Sequence, residues 1–517
     1  MKPGFLKYDP QAPCPQYLED LATGYWFSEV LFTAVEAGLF TLLAGGGMSA
    51  AEIAGAIGFS LHGTERFLEA LCALGLIGRD GDVYFNTRLS ETYLVRGREH
   101  YQGDSILWRK HLASSWRCLK ECLEAGGRVS YPPPGESREC MGQRVGRYIR
   151  AMDNVARYKV QEILPIFEGV FDTGRVLDVG SGSGAVAAGF LEQYPGLAAT
   201  LVDIPEVLEL TKMLMEERGL GGRVTCHPAN ILEPGALPQG PFDLVILSNI
   251  LHIYTEKEGA LLLSRAAGCL GAAGFLLVHD FFPEHRPEKA ALMDLNMLIN
   301  TYNGKVLSSR WVRERLEARG LCSTELVPLR SDTALVIAAR DAGALEKLKL
   351  APEQRLAARI MSLGFRGVCP IAAADIYVSD WVELRCRYGC ENYGRPHCPP
   401  NSPPPEKTRA VLKDFSVALL LEGEPPARDF QLRVLAAERE AFKAGYYKAT
   451  AFWAGPCALC PSCSAAEQCR HPRDARPSME GSGIDVYETV RRAGRSLSST
   501  LQDRQDYVKY FALLLLE

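Results

Sequence analysis

The feature that most constrains this chain is the run Val176–Gly184, which reads VLDVGSGSG. Its first half has the apolar character of a buried strand, and the following stretch, AVAAGFLEQY, has the character of a helix. Gly180, Gly182 and Gly184 suit a backbone that must turn sharply and let a ligand approach without Cβ atoms in the way. The run therefore predicts a strand–loop–helix unit with a ligand at the helix N-terminus.

Apolar runs of strand length alternate with helical stretches in this part of the chain: RVLDVG, ATLVDI, FDLVILSN and FLLVHDF. Such alternation indicates an α/β fold in which helices cover both faces of a parallel sheet. Two β-like segments, Ser323–Pro328 and Thr333–Ala339, close the unit near Arg340.

Two classes of cofactor compete for the glycine loop. Gly180-x-Gly182-x-x-Ala185 satisfies the dinucleotide fingerprint, with Asp203 about twenty residues further on. Three features favour S-adenosylmethionine (SAM): Asp178 can reach its charged amino end, Asp203 in LVDIP can accept both ribose hydroxyls, and HPANILEP and PFDLVILSNILH follow in the order that methyltransferases use. We therefore predict a SAM site, with a nicotinamide site and a ligand-free turn as the alternatives.

From about residue 15 to 340 the chain resembles the small-molecule O-methyltransferases, the family typified by the plant caffeate and acetylserotonin enzymes and their bacterial relatives. The resemblance implies a mainly α, winged-helix-like dimerisation domain, a Rossmann-like class I methyltransferase domain, a homodimer and a small-molecule acceptor. Asn230 stands where the family has an aspartate that receives the adenine amine. The cofactor residues that we assign are Asp178, Gly180, Gly182, Gly184, Asp203, Ile204, Asn230 and Ile231.

Methyl transfer to a hydroxyl needs a group that helps to remove the hydroxyl proton. The resemblance places this general base at His252 in NILHIY, and the alternative is a structural histidine at a helix start. Ile253 and Ser248 stand where the family usually has aspartate and lysine, and no counterpart of its later glutamate is obvious around Lys305–Arg310. We therefore predict that His252 acts alone or that the acceptor arrives already ionised.

Three functions follow from this site. The leading one is an enzyme, a SAM-dependent O-methyltransferase that acts on a hydroxyl of a small cyclic or aromatic compound. The others are methyl transfer to sulfur, nitrogen or a metal-bound acceptor, and a non-catalytic SAM-binding sensor of redox state or metal.

Five residues lie in stretches that line the acceptor pocket in similar enzymes, and we predict that they contact the acceptor, with ordinary helix packing as the alternative role. They are Met152, Asn154, Met293, Asn296 and Asn300.

The placement of the 16 cysteines divides the chain. Eight are scattered between Cys14 and Cys322, and the other eight (16 − 8) lie between Cys369 and Cys469. Because cytosolic thiols stay reduced, clustered cysteines indicate metal ligands rather than disulfides. The two clusters are Cys386-x3-Cys390-x7-Cys398, followed by two prolines, and Cys457-x2-Cys460-x2-Cys463-x5-Cys469.

The second cluster is similar to the ferredoxin run for a [4Fe–4S] cluster, although five residues rather than three precede its last cysteine, and zinc is the alternative. Cys369 is either a fourth ligand of the first cluster or a plain buried thiol, and His397 and His471 are further candidates. From about residue 350 the chain is similar to a prokaryotic family of predicted metal-binding proteins, through CPP, GPC-x2-C-x2-C and CRHPRDARPSMEGSGIDV. This resemblance implies metal binding without a reaction; the tail would supply a redox centre or dock an electron-transfer protein.

The charge and the apolar runs of the sequence argue against nucleic acid and membrane partners. The N-terminal helices and hairpin allow DNA binding, but the net charge of −5 and the few outward cations, Arg66 and His62, favour packing or dimerisation. No run is long enough for a membrane span, and the longest, Val417–Leu421 and Phe511–Leu516, fit buried strands. The start lacks the apolar core of a secretion signal, so we expect a cytoplasmic protein without nucleic acid or membrane partners.

The same patterns predict the domain boundaries. Tyr131–Gly135, which reads YPPPG, predicts a loop or a break within a helical region. The expected units are residues 1–100 for the dimerisation domain, 101–165 for a helical linker that contributes to the acceptor pocket, 166–342 for the methyltransferase domain and 350–517 for an α+β cysteine-rich metal-binding domain.

Overall fold

The structure, a computed structural model, describes residues 15–131, 137–361, 363–423, 428–461, 463, 469–495, 497 and 509–517. Short helices and a small sheet form its first part. Ser49 begins one helix with a capping box to Glu52, and Ser60 begins the next by accepting from the amide of Gly63. The elements are α1 Pro15–Thr23, α2 Tyr25–Glu36, α3 Leu39–Leu43, β1 Met48–Ser49, α4 Ala50–Ile57, α5 Leu61–Ala73, β2 Ile77–Asp80, β3 Val83–Asn86 and α6 Arg88–Tyr93.

The strands of this first part pair in the order β1–β3–β2. Helices α4 and α5 are followed by the hairpin of β2 and β3, as the sequence predicts. A helical linker comes next, in which α7 packs along α9. The predicted break at Tyr131–Gly135 cannot be placed beyond Tyr131, because residues 132–135 lie outside the described part of the chain. The linker helices are α7 Gly103–Trp116, α8 Leu119–Ala125 and α9 Arg138–Ile163.

The central sheet carries the glycine loop. Within the described residues it has the order β10–β11–β8–β7–β4–β5–β6, and β9 pairs with β11. Strands β4 to β8 are parallel, as predicted, whereas β11 runs antiparallel to β8. The elements are β4 Thr173–Val179, α10 Ala185–Gln193, β5 Gly196–Asp203, α11 Pro205–Glu217, β6 Val224–Pro228, β7 Phe242–Ser248, α12 Glu256–Cys269, β8 Leu270–Asp280, α13 Pro287–Asn300, α14 Ser309–Glu317, β9 Cys322–Ser323, β10 Val327–Pro328 and β11 Ala334–Ala339.

Both faces of this sheet are buried, as the apolar runs predict. On one face, the ring of Phe167 packs edge-on against those of Phe190 and Phe275. The opposite face of β4 contributes Leu177 and Val179 to a second core cluster. Because both faces are covered, the edge at which the parallel strands end is where polar side chains and a ligand can meet.

Residues 341–351, the connector between the central domain and the tail, pack against the central domain. Leu348 and Leu350 are buried in the core beneath the sheet, and the amide of Lys349 donates to the carbonyl of Ile166 over 2.6 Å. The tail then forms an antiparallel sheet in the order β12–β13–β15–β14. Its elements, after α15 Ala342–Leu345 of the connector, are α16 Pro352–Met361, β12 Gly367–Ala372, α17 Trp381–Gly389, α18 Pro405–Leu412, β13 Val417–Gly423, α19 Arg428–Lys443, β14 Thr450–Phe452, α20 Val486–Arg492 and β15 Tyr510–Leu515.

The apolar runs that were candidates for buried strands lie at the centre of the tail sheet. Leu419 and Leu421 of β13 face one core cluster, and Leu420 faces the other, so both faces are covered. Among the described helices none has the length and apolar character needed to cross a membrane.

Candidate functional site

The glycine loop adopts backbone angles that other residues rarely adopt. Gly180, Gly182 and Gly184 have φ values of 68°, 53° and 73°. A Cβ at Gly180 would lie 2.6 Å from Cδ1 of Ile250, whereas a Cβ at Gly182 would meet nothing within 4 Å. Gly182 therefore faces open space into which a ligand can approach the backbone.

The loop is tied to the end of the next strand by Asp203. Its two carboxylate oxygens accept hydrogen bonds from the amides of Gly182 and Ile204, each over 2.8 Å. Burial raises the pKa of Asp203, and the two amides oppose that rise. Ile204, beside it, is 44% exposed, which leaves an apolar surface next to the carboxylate. A carboxylate that backbone amides hold in position still has lone pairs that can accept hydrogen bonds from hydroxyl groups, as ribose binding requires.

Asp178 stands in a more demanding environment. Its side chain is buried at the end of β4, and this burial raises the pKa of the carboxyl to about 7, with the charge of Asp203 adding to the rise. The oxygens Ser181 Oγ and Asn249 Oδ1 are buried without a partner in the described residues. A cationic amino group bound here would neutralise Asp178, so the site suits the amino end of SAM.

Two of the predicted cofactor residues have other work in the fold. The Asn230 Oδ1 atom accepts a hydrogen bond from the amide of Leu232 over 3.1 Å and thereby closes a turn. Ile231 is 5% exposed and belongs to the core cluster that also contains Val202. The side chain of Ile231 is therefore part of the core next to the site, and its contact with the cofactor stays a prediction.

His252 lies in a short 3-10 turn, Leu251–Ile253, after β7, and the structure gives it a partner that the sequence analysis missed. Its Nδ1 atom lies 2.5 Å from Asp280 Oδ1, at the end of β8. The same carboxylate accepts the amides of Leu251 over 3.2 Å and of Phe281 over 2.8 Å. Of the two predicted alternatives, the first does not hold as stated, because His252 has this carboxylate as a partner.

The pairing determines which ring nitrogen can act as a base. An ionised carboxylate only accepts hydrogen bonds, so Nδ1 of His252 carries the hydrogen and Nε2 keeps its lone pair. No hydrogen bond to this Nε2 occurs among the residues that the structure describes. Neighbouring parallel strands end at the same edge of a sheet, and this signal would have found Asp280 in LLVHDF beside His252 in NILHIY.

The cysteine clusters of the tail lie next to each other. Burial raises the pKa of Cys386 and Cys398 to about 11, and the Cys390 thiol adds to the rise in both. Cys457 of the second cluster also acts on Cys398. The clusters that are separated in sequence therefore converge in space.

A histidine joins the second cluster. The Sγ atom of Cys469 lies 3.6 Å from Nε2 of His397, and it accepts the amide of His471 over 3.3 Å. Within the ranges that the structure describes, no three His, Cys, Asp or Glu side chains are arranged to hold a metal ion. The donors are gathered, but their arrangement is not that of a closed metal site.

Cys369 has a structural place of its own. It lies in β12 opposite Leu420 of β13, and its thiol donates to the carbonyl of Pro370 over 3.6 Å. The guanidinium of Arg495 also bonds to this thiol. None of these contacts is with Cys386 or its cluster, so the structure supports the alternative of a plain strand thiol.

Comparison with known proteins finds sequence families that match separate parts of the chain. Three sequence families match: the O-methyltransferase dimerisation domain over residues 19–96, the O-methyltransferase domain over 138–321 and a predicted metal-binding protein of unassigned function over 369–516. The bovine acetylserotonin O-methyltransferase is 31% identical over 55% of this chain and 86% of its own length. This chain belongs to the family of SAM-dependent O-methyltransferases.

Other O-methyltransferases resemble it to a similar degree. The 3-hydroxy-5-methyl-1-naphthoate 3-O-methyltransferase of Streptomyces sahachiroi is 29% identical over 59% of this chain and 90% of its own length. Human N-acetylserotonin methyltransferase, solved with SAM, has a TM-score of 0.55 at 25% identity and covers 65% of this chain and 99% of its own. An O-methyltransferase family protein from Burkholderia thailandensis has a TM-score of 0.54 at 27% identity, covering 64% and 99%.

Three of the predicted acceptor residues of this O-methyltransferase lie together on α13. The Asn296 Oδ1 atom accepts from Nδ2 of Asn300 and from Nε1 of Trp116, each over 3.0 Å. Met293 packs against Phe281, whose ring lies edge-on to that of His252 at 5.7 Å. These three residues therefore lie on one helix that packs against the turn carrying His252, and we call them the wall on α13.

The other two predicted acceptor residues lie on α9. The backbone carbonyl of Asn154 accepts from Nε2 of Gln102 over 2.8 Å, and Met152 is half-buried. Their described contacts do not join them to the wall on α13.

Ser248 stands where the family usually has a lysine, and its hydroxyl belongs to a buried hydrogen-bond chain. Its hydroxyl lies 2.8 Å from Nδ1 of His279, and the Nε2 atom of that histidine lies 2.8 Å from the hydroxyl of Thr333. Burial lowers the pKa of His279 to about 3, so it stays neutral at physiological pH. The position that usually holds a lysine is here part of a neutral hydrogen-bond chain beneath the site.

Proposed function

We propose that this O-methyltransferase methylates a hydroxyl group on a small aromatic compound, with His252 as the general base. The observation that carries the proposal is the pair formed by His252 and Asp280 at the sheet edge that also holds the glycine loop. Bound SAM supplies an activated methyl group, whose bond to sulfur breaks as its bond to the acceptor oxygen forms. The Nε2 atom of His252 takes up the hydroxyl proton, and the Asp280 carboxylate stabilises the resulting imidazolium.

The cofactor end of the site is assigned residue by residue. Asp178 would pair with the amino group of the cofactor, the backbone of Gly182 would lie against it, and Asp203 would accept hydrogen bonds from the ribose hydroxyls. Ile204 and Asn230 would lie beside the adenine, and the exposed apolar surface of Ile204 supports a contact with the ring. The buried oxygens without partners around this loop support the same placement.

The aromatic acceptor is supported by the wall beside the base. Met293 offers apolar surface beside the buried ring of Phe281, and Asn296 offers its Nδ2 group for orientation, since its Oδ1 atom already accepts two hydrogen bonds. The similar proteins named above include enzymes for a hydroxynaphthoate and for acetylserotonin, and both names specify methylation at oxygen.

Radiolabelled SAM offered with a hydroxynaphthoate, an aromatic amine and an aromatic thiol tests the proposal. We expect label in the methyl ether only. His252→Ala should lower kcat by about 10²- to 10⁴-fold, because general-base assistance contributes that much. Transfer only to the amine or thiol, or full activity of His252→Ala, would overturn it.

A homodimer through the N-terminal helices is part of the proposal. The matched dimerisation domain begins at residue 19, and α1 and α2 expose Leu18, Leu21, Tyr25 and Trp26 to solvent in the single chain. A second copy would cover this apolar face. Light scattering should give twice the mass of one chain, and Trp26→Glu should shift the protein towards monomers.

For the tail we propose a metal centre, with a [4Fe–4S] cluster favoured over zinc. Thiolates suit both metals, and an amide that donates to sulfur, as His471 does to Cys469, reduces the charge on a ligand. Anaerobic purification with iron, sulfide and zinc analysis decides the metal, and one equivalent of zinc without sulfide would rule out the cluster. The proposed ligands are Cys386, Cys390, Cys398, Cys457, Cys460, Cys463 and Cys469.

A further inference from the structure

One face of α7 is directed at the acceptor wall. Its last residue, Trp116, bonds to Asn296 of α13. Arg109 precedes Trp116 by two helical turns and therefore lies on the same face of α7. The adjacent Lys110 points elsewhere and pairs with Glu36 over 2.5 Å.

The side chain of Arg109 is exposed to water, although protein atoms surround it closely. Its side chain is exposed, yet desolvation lowers its pKa, while the charge of Asp332 and then that of Tyr148 oppose the shift. A group that is both accessible and desolvated stands in a cleft. In the described part of the chain, Arg109 has no hydrogen bond or ion pair of its own.

The neighbours of Arg109 locate this cleft. Asp332 is already paired with Lys159 over 2.8 Å, and the Lys159 ammonium lies 4.8 Å from the ring centre of Phe281. Phe281 in turn flanks His252. Arg109 therefore borders the part of the cleft where the base lies, through Asp332, and the part near Asp203, through Tyr148.

We propose that Arg109 binds a carboxylate of the methyl acceptor, so that the substrate is an anionic hydroxyarene carboxylate. This inference rests on the proposed O-methylation. A guanidinium holds a carboxylate through two parallel hydrogen bonds, which orient a planar acid. An aromatic ring anchored there lies against Phe281 and Met293 and presents its hydroxyl towards His252. The methionine carboxylate of SAM offers the same chemistry and is the alternative occupant.

A matched pair of acceptors tests the inference: 3-hydroxy-1-naphthoate and 2-naphthol, which lacks only the carboxylate. The wild-type protein should prefer the naphthoate in kcat/KM. Arg109→Met should lower kcat/KM for the naphthoate by about 10- to 100-fold and leave that for 2-naphthol unchanged, since a hydrogen-bonded charge is lost. Arg109→Lys should restore part of the preference, and Lys110→Met, on the other face of α7, should leave it unchanged.

Binding measurements separate the two sources of carboxylate. Calorimetry should show weaker binding of the naphthoate to Arg109→Met saturated with S-adenosylhomocysteine, and unchanged binding of S-adenosylhomocysteine itself. Weaker S-adenosylhomocysteine binding with equal losses for both acceptors would assign Arg109 to the cofactor and overturn the inference. Equal use of both acceptors by the wild type would also overturn it and leave O-methylation intact, whereas use of neither would count against the proposed function.

Discussion

The methyltransferase cleft and the cysteine-rich tail are organised in different ways. In the cleft, protein donors already hold the carboxylates: Asp280 accepts backbone amides of the turn that carries His252, and Asp203 accepts the amide of Gly182. In the tail, the thiols have mainly one another and the neighbouring ring of His397 as partners. The cleft is thus oriented before any ligand arrives, whereas the tail gathers donors that only a metal would fix in position.

The difference follows from where the side chains are attached. The acids of the cleft end buried parallel strands, so the sheet determines their positions. Most of the clustered cysteines lie on segments between regular elements, where turns rather than strands or helices set their positions. Changes in the cleft should therefore alter rates without altering the fold, and changes in the tail should alter metal content without altering the cleft.

The largest expected effect is on the base. Asp280→Asn keeps the shape, but its amide can donate to Nδ1 and stabilise the wrong tautomer of His252, so we expect kcat to fall by about 10²- to 10⁴-fold. Binding of S-adenosylhomocysteine and the melting temperature should stay close to those of the wild type. Asp341→Asn, which removes a charge from the cap of α15, is the control. An unfolded variant would contradict the contrast between cleft and tail, because it would show that the cleft depends on the pair of His252 and Asp280 for its structure.

The next effect concerns the tail. Replacing Cys457 and Cys460 together by serine should remove most of the bound metal, because serine is a poor ligand for soft metal ions. Binding of S-adenosylhomocysteine should be retained, since the cofactor loop is held by β4 and β5. Metal analysis and calorimetry on the same preparation measure both. Loss of cofactor binding together with the metal would show that the two regions are coupled.

The affinity for SAM should depend on pH through Asp178. Burial raises its pKa to about 7, so below this pH the carboxyl is increasingly protonated and loses its attraction for the cofactor amino group. The dissociation constant should therefore rise by up to about tenfold for each pH unit below 7. Because the folded protein holds this proton and the unfolded chain releases it at lower pH, the ligand-free protein should lose stability as pH rises from about 4 to 7.

Calorimetric titration of S-adenosylhomocysteine between pH 5.5 and 8 measures this dependence. Asp178→Asn should bind more weakly and with a flatter pH profile. Because the charge of Asp203 adds to the rise in the pKa of Asp178, Asp203→Asn should keep the steep profile that Asp178 produces and move it to lower pH. A profile that is equally steep in Asp178→Asn would assign the titration to another group.

How far the sequence predicts the site depends on whether a function is encoded locally. The glycine loop and the strand that ends at Asp203 are local patterns, and the structure places them as expected. Asp280 was missed because its pairing with His252 depends on β8 lying next to β7. Arg109 was missed because only the packing of α7 against α13 brings it to the cleft, and helical spacing does not reveal which partner a face meets.

Spacing was also insufficient in the tail. It identified two clusters but not their proximity, which depends on how the chain between Cys398 and Cys457 folds around the sheet. It also left Cys369 undecided, since one cysteine upstream of a cluster fits a ligand and a core thiol equally well. The strand pairing favours the core thiol, because β12 directs Cys369 towards Arg495.

The smallest expected effect is that of Cys369→Ser. If Cys369 is a strand thiol, its replacement should leave the metal content unchanged and lower the free energy of unfolding by about 1 kcal/mol, as replacements of half-buried side chains commonly do. Cys386→Ser is the matched variant, because Cys386 is also half-buried but belongs to the first cluster, and it should lower the metal content. Equal metal loss in both variants would make Cys369 a ligand. Because β12 holds this thiol against Arg495, the tail would then have to change its structure when it binds metal. The difference between the tail and the cleft, which is oriented without a ligand, would then be larger.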